Sequence, residues 1–301
     1  MEITMKKILS VLIAAAMLLS LASLLGGCSG ESDYPVKIGG ITFTEEPQEI
    51  VILNKNLADI ISCVGYDIKM VGRSDEVSQQ GLQVVPSVGS SSEPDVGKIK
   101  ELGADVVFAD DTIDDAAVES LTAEGIPVVK TEDANTQKQL KNVYKKLGTI
   151  LGGNITGKKQ GAQAYKSLTT TLRDVKSAVD SKNIVTTVVY LYIDNGVLKT
   201  FNSNTWGATM LSYTGAVNVA QNFESNVVNA EDLKLSKPDF IFCADEHVES
   251  YLNNHAELSS LSALSERTFT VPLEDISMQG NSSLDVLENM LRDMYPEDFS
   301  D

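Results

Sequence analysis

Apolar and polar positions follow two different periods along this chain. From Glu49, short apolar runs ("EIVIL", "KMVGR", "VVPSV", "DVVFA", "IPVVK") alternate with helical spacing ("NLADIISCVG", "PDVGKIKEL", "DDAAVESLTAEG"). Near-continuous apolar runs mark strands covered on both faces, and their alternation with helices predicts a mainly parallel sheet. Between Thr136 and Asp180 only the helical period remains. Leu140, Val143, Leu147, Ile150 and Leu151 share one face, and beyond "GGNITG" so do Leu168, Leu172, Val175 and Val179. A helix over 158–181 would be about 36 Å long at 1.5 Å per residue, enough to brace two lobes. Strand patterns then return in "VTTVVYLYI", a "DNG" hairpin turn, "VLKTF", "DFIFCA" and "TFTVP". Helical stretches separate them at "WGATMLSYTG", "AEDLKL" and "HVESYL", and "SLDVLENMLRDMY" closes the chain.

Two phrases nearly repeat. "IKELGADVVFAD" (99–110) and "LKLSKPDFIFCAD" (233–245) each run from a helix-like lead through an aspartate and four or five apolar residues to an acid. One supersecondary step used twice predicts two α/β lobes of similar build, with mainly parallel sheets, over 47–157 and 182–301. The helix 158–181 joins them.

The first residues read differently. Lys6 and Lys7 precede the apolar run "ILSVLIAAAMLLSLASLL", a secretory-signal pattern over 1–27. A signal anchor has the same run. What distinguishes them is "LLGGCSG", which resembles the lipobox of bacterial lipoproteins and makes Cys28 the expected lipidated residue. Residues 28–46, opening "CSGESDYP", are then expected as the lipidated cysteine and a polar tether. The remaining cysteines, Cys63 and Cys243, fall in apolar patterns of different halves and are expected as buried free thiols.

Net charge is -18, from 24 basic and 42 acidic residues. That excludes a binder of the phosphate backbone, which needs a basic footprint, so no nucleic-acid partner is expected. "GGNITGKK" imitates a phosphate loop, but Lys159 stands where the motif needs Ser or Thr, and a helix rather than a strand precedes it. The two histidines, His247 and His255, are eight apart, not the three or four of a helical metal pair. No metal site, cofactor or catalytic set is expected, and no nucleophile elbow occurs. Asp110-Asp111 and Asp245-Glu246 read as loop acids capping the next helix rather than as acid–base pairs.

The order of these segments resembles the substrate-binding lipoproteins of ABC importers, in the iron-siderophore, cobalamin and haem class with one rigid interlobe helix. The resemblance runs from Pro47 to Pro296. It is carried by "EIVILNKNLADIISCVG", "KMVGRSDE", "VPSVGSSSEPDVGKIKELGADVVFAD", "NVVNAEDLKLSKPDFIF" and "DMYPEDF". It implies a non-enzymatic, monomeric capture protein, tethered to the outer face of the membrane, that hands its cargo to permease and ATPase subunits. The implied cargo is a ferric siderophore, with cobalamin or haem next. Family members dock through one glutamate per lobe. Glu231 matches in the second lobe, whereas Gly97 occupies the first-lobe position and Glu93 or Asp95 would have to substitute. Ligand in such folds meets loops at the carboxyl ends of strands. Those loops hold Asn54, Lys55, Asn56, Arg73, Ser91 and Asp110, and then Asn204, Trp206, His247 and Met278. Trp206 is placed either to stack on a planar ligand or to cover core. Arg73 and Lys55 would suit an anionic chelate, while the many acids beside them would suit a neutral or cationic one. The alternatives are an exported metal-assisted hydrolase or chelatase-like enzyme on a two-lobed fold, or a surface scaffold lipoprotein. Scarce histidine and the missing nucleophile weigh against the first, and the α/β lobes against the second.

Overall fold

The computed structural model describes residues 32–264 and 266–299, which form two compact units. One contains residues up to Leu168 together with Gln279–Asn281; the other contains Thr169–Met278 and the residues from Ser282 on. Cys28 and the signal segment lie outside the described residues. Among those described, no helix is long and apolar enough to cross a membrane.

The N-terminal unit is built on four parallel strands, β3 (Ile50–Ile52), β4 (Met70–Arg73), β5 (Val106–Ala109) and β6 (Val128–Lys130), in the order β4-β3-β5-β6. Every residue of β3 and β5 is buried, as expected of strands covered on both faces. Between the strands run α1 (Lys55–Val64), α2 (Val96–Glu101) and α3 (Asp115–Ala123). Helix α1 starts where Asn54 accepts a hydrogen bond from the Leu57 N–H, and stops at Gly65, which has φ 90°.

"VVPSV" does not form the expected strand. Val84 is 89% exposed, and only Ser87 makes an isolated bridge, to Arg73. Pro86 has no N–H to donate, so the ladder beside β4 ends there.

A hairpin of β1 (Val36–Ile38) and β2 (Ile41–Phe43) precedes this sheet, so the segment expected as tether is ordered well before residue 46. The Asp33 carboxylate accepts bonds from the Ile155 and Thr156 N–H groups (2.8 and 2.9 Å) and from the Thr156 hydroxyl (2.7 Å). The Tyr34 hydroxyl donates to the Ile150 carbonyl (2.9 Å). These bonds tie the chain from Asp33 onward to the turn between two helices, and a free tether could only precede it.

The two helices are α4 (Gln137–Gly152) and α5 (Lys158–Asp180), the latter beginning in one unit and ending in the other. "GNITG" between them is a π-helical turn rather than a phosphate loop. The helices approach closely at glycines. A Cβ on Gly148 would stand 2.3 Å from the Gly157 carbonyl oxygen, and one on Gly161 would stand 2.2 Å from that of Tyr144.

In the C-terminal unit, β10 (Phe240–Cys243) lies parallel between β11 (Thr268–Thr270) and β7 (Thr187–Asp194). The long β7 pairs in parallel with β9 (Val217–Asn218) along its first residues and antiparallel with β8 (Val197–Thr200) along its last. Its helices are α6 (Trp206–Tyr213), α7 (Ala230–Ser236), α8 (Glu246–Asn254), α9 (Leu273–Ile276) and α10 (Ser282–Met294).

The repeated phrase does the same work in each unit. Asp105 accepts from the Gln48 and Glu49 N–H groups (2.7 and 3.0 Å). Asp239 accepts from the Thr187 N–H and hydroxyl (both 2.8 Å). In both cases a carboxylate at the foot of one strand fixes the start of the strand beside it.

Candidate functional site

Strand order β4-β3-β5-β6 reverses its direction of winding between β3 and β5. Open α/β sheets offer a crevice to ligands at the carboxyl ends of strands at such a point. The residues there are Asn54 and Asp110, and they are bonded to each other: the Asn54 amide donates to Asp110 Oδ2 at 2.5 Å. Asp110 Oδ1 accepts from the Thr112 N–H and hydroxyl, so this acid makes an Asx turn and does not cap α3 as expected. Asp114 is the residue at the cap position. Asp245 does cap α8, accepting from the Val248 N–H at 2.9 Å.

Arg73 reaches this edge from β4, but its guanidinium holds the neighbouring loop. Nε donates to the Leu82 carbonyl (3.1 Å), Nη1 to that of Ser74 (3.0 Å), and Nη2 to the Gln83 side chain (3.3 Å). The Ser91 N–H donates to Glu76 at 2.9 Å. Partial burial would raise the Glu76 carboxyl; hydrogen bonds from its own backbone, Ser74 and Ser91 outweigh that and hold it low. Lys55 stands in the first turn of α1, half-buried.

Asn56 is only 7% exposed. It hydrogen-bonds the Asp133 carboxylate while its own Oδ1 meets no donor. Asp133, in the loop after β6, is open to solvent at its surface, yet the protein around it raises its pKa. The bond from Asn56 acts in the opposite sense, and Asp110 adds to the rise. The pattern analysis missed Asp133, although "TEDAN" after β6 is a turn at the same edge.

The segment Gln279–Asn281 belongs to this unit. The Gln279 side chain bonds both the N–H and the carbonyl of Ala134 (3.1 and 2.7 Å), and its carbonyl accepts from the buried Tyr144 hydroxyl (2.9 Å). A side chain on Gly280 would strike Asp59, at 2.5 Å.

In the C-terminal unit, Trp206 is 4% exposed and Met278 1% exposed. The indole N–H donates to the Met278 carbonyl at 2.7 Å, so of the two roles open to Trp206, this structure places it in the core. Asn204 is exposed with a left-handed φ of 64°, and His247 is exposed in the first turn of α8. The aromatic surface at this edge comes from residues the sequence reading passed over. Tyr190 stacks on Phe201 at 4.9 Å between centroids, and half-buried Tyr192 lies 5.4 Å from the same ring. The available signal was "YLY", which puts Tyr190 and Tyr192 on one face of a strand. Cys63 and Cys243 are both free; burial, with Glu249 and Asp245 nearby, pushes the Cys243 thiol up to about 12.

Among the described residues, no three His, Cys, Asp or Glu side chains are placed to hold a metal ion. A cavity of about 800 Å³ lies at the other, amino end of these strands, lined by Phe43, Glu45, Glu49, Asp105 and Pro127, away from Asn54 and Asp110.

The chain thus has two α/β units on mainly parallel sheets and a long helix leading from one unit into the other. A family model described as periplasmic binding protein matches residues 50–270. The chain belongs to this family.

Its curated relatives include a cobalamin-binding protein of Halobacterium salinarum, 28% identical over 191 residues, 60% of this chain. The chain spans about half the length of these relatives, 48%. Among solved structures, a possible iron-binding (periplasmic solute-binding) protein of Staphylococcus epidermidis superposes with a TM-score of 0.69 at 16% identity, covering 83% of this chain and all of that one. A periplasmic heme binding protein of Pseudomonas aeruginosa gives 0.65 at 21% identity, over 83% of this chain and 93% of that one. In this periplasmic binding protein, Glu231 is exposed in the first turn of α7. Glu93 is exposed in the loop before α2, its N–H donating to Ser90 Oγ at 3.0 Å, and Gly97 lies within that helix.

Proposed function

We propose that this protein is the extracytoplasmic solute-binding subunit of an ABC importer, lipid-anchored through Cys28, and that its cargo is a chelated metal or a corrinoid. The observation that carries the reading is the family match over residues 50–270, which takes in the sheets of both units. The cobalamin-binding relative supports the cargo class. The function is capture and delivery, not catalysis.

The candidate cargo contacts are the exposed and half-buried positions at the strand carboxyl ends: Asn54, Lys55 and Ser91 in the N-terminal unit and, in the C-terminal unit, Asn204 and His247, with Tyr192 and Phe201 added. Asp110, Arg73, Trp206 and Met278 support these positions from behind. Glu231 and Glu93 dock on the permease, and the protein works as a monomer.

Thermal unfolding against a panel of ferric hydroxamates, ferric catecholates, corrinoids, haem, bare metals and sugars tests the reading. A ligand at one hundred times its Kd adds about 2.7 kcal/mol. At roughly 2–4 °C per kcal/mol the melting temperature should rise by several degrees. A response to sugars with silence across the chelates would refute the cargo class.

A further inference from the structure

The carboxyl-end loops of the N-terminal sheet are strongly one-sided in charge. Residues 53–56, 74–95, 110–114 and 131–136 contain nine carboxylates and a single ammonium, that of Lys55. Three more cations reach the edge from outside the loops, and all are engaged by protein oxygens. The Lys130 ammonium faces Asp115 at 3.5 Å. Arg73 binds the Leu82 and Ser74 carbonyls and Gln83, and the Lys146 ammonium binds the Lys130 carbonyl (2.8 Å) and Thr131 (2.9 Å). An anionic ligand arriving here would meet acids rather than a waiting guanidinium, in a chain whose net charge of -18 adds to the repulsion.

A second observation at the same edge points the same way. Asn56 is nine-tenths buried beside Asp133, and its Oδ1 is an acceptor without a donor. A buried acceptor left unpaired costs about 1–3 kcal/mol, and a donor brought from outside removes that cost.

We infer that the cargo is a neutral or cationic chelate with hydrogen-bond donors on its rim, bound at the Asn56–Asp133 edge, and not a polyanionic ferric catecholate. This rests on the proposed function and narrows it.

The test is isothermal titration of the full chain with one ferric trihydroxamate in three forms: with a free ammonium, with that amine acetylated, and with it succinylated. Shape is kept while charge passes from positive through neutral to negative. A ferric tricatecholate and cyanocobalamin complete the set. The expected result is that the ammonium form or the corrinoid binds, the succinylated form binds at least about tenfold more weakly than the ammonium form, and added salt narrows that gap. Asp133→Asn should narrow it too. Asn56→Ala should weaken binding about tenfold while leaving the melting temperature unchanged or raised, which a merely structural asparagine would not do. Equal or tighter binding of the succinylated chelate or the catecholate overturns the charge assignment and leaves the importer reading standing. Failure of every chelate and corrinoid while a sugar binds overturns both.

Discussion

Asp105 and Asp239 show how one side chain sets local structure in each unit. Each carboxylate accepts two hydrogen bonds at the start of a neighbouring strand, and hydrogen bonds to charged groups contribute about 1.5–3 kcal/mol each. Asp239→Ala should therefore destabilise the protein by about 2–4 kcal/mol, read as a lower urea midpoint with an unchanged slope. Trp206→Phe leaves the Met278 carbonyl buried without its donor, and a loss of about 1–3 kcal/mol is expected from the same measurement.

Two aspartates should respond to pH with opposite signs. At Asp33, slight burial works to raise the pKa but is outweighed by bonds from Thr156 and Ile155, so the folded value is lowered. Its contribution to stability is present above the unfolded aspartate value of about 3.9 and is lost as pH falls through the lower folded value. Asp33→Asn should flatten that part of a melting-temperature profile. At Asp133, exposed at its surface, desolvation by the surrounding protein raises the folded value, so ionisation above it works against the fold. Asp133→Asn should raise the melting temperature at neutral pH and leave it unchanged where the carboxyl is already protonated. Both residues are recognisable in sequence only as loop acids, because the groups around them, Thr156 and Ile155 at Asp33 and Asn56 and Asp110 at Asp133, are far away along the chain.

Among the elements, the helical hairpin α4–α5 is the most tightly specified. Gly148, Gly157 and Gly161 let the two backbones meet, and the atoms a side chain would strike are carbonyl oxygens, which cannot move aside as a rotamer can. Gly161→Ala should cost at least about 3 kcal/mol, more than the ordinary overpacking penalty. Elsewhere on the helical surface, at exposed Lys141 for example, Ala should be nearly neutral. Thermal unfolding of the pair of variants distinguishes close helix contact from helix propensity, since alanine is the better helix former in both cases. The 3.6-residue period announced both helices, but nothing local announced their contact. The period-2 and apolar-run signals likewise found β3 to β8, β10 and β11 and misjudged "VVPSV". There Pro86 interrupts pairing although the apolar content remains strand-like. The β1–β2 hairpin was missed for the opposite reason: three-residue strands are too short to show a period, and their pairing, with Val36 opposite Phe43 and both buried, is set by the fold.

At the scale of the whole molecule, the proposed function makes a claim about position as well as binding. Cys28→Ala should move the protein from the membrane fraction to the soluble fraction, and persistence in the membrane would refute the lipid anchor. Sequence alone determined the α/β class, the two-lobed build and the long helix. Those depend on which faces are apolar, and burial of apolar faces is recorded in the local period. It also determined the strong negative charge, which is a matter of inventory. Tertiary structure decided which of the inventoried residues are available. Arg73 reads in sequence as a candidate ligand contact and Trp206 as either a ligand contact or core, and the structure finds their N–H groups on Leu82, Ser74 and Met278. Asp133 and Tyr192 read as ordinary turn and strand residues until Asn56 and Phe201 were found beside them. A polar side chain's role is set by whether its hydrogen-bonding groups are already satisfied by the protein. That depends on partners brought close only by the fold.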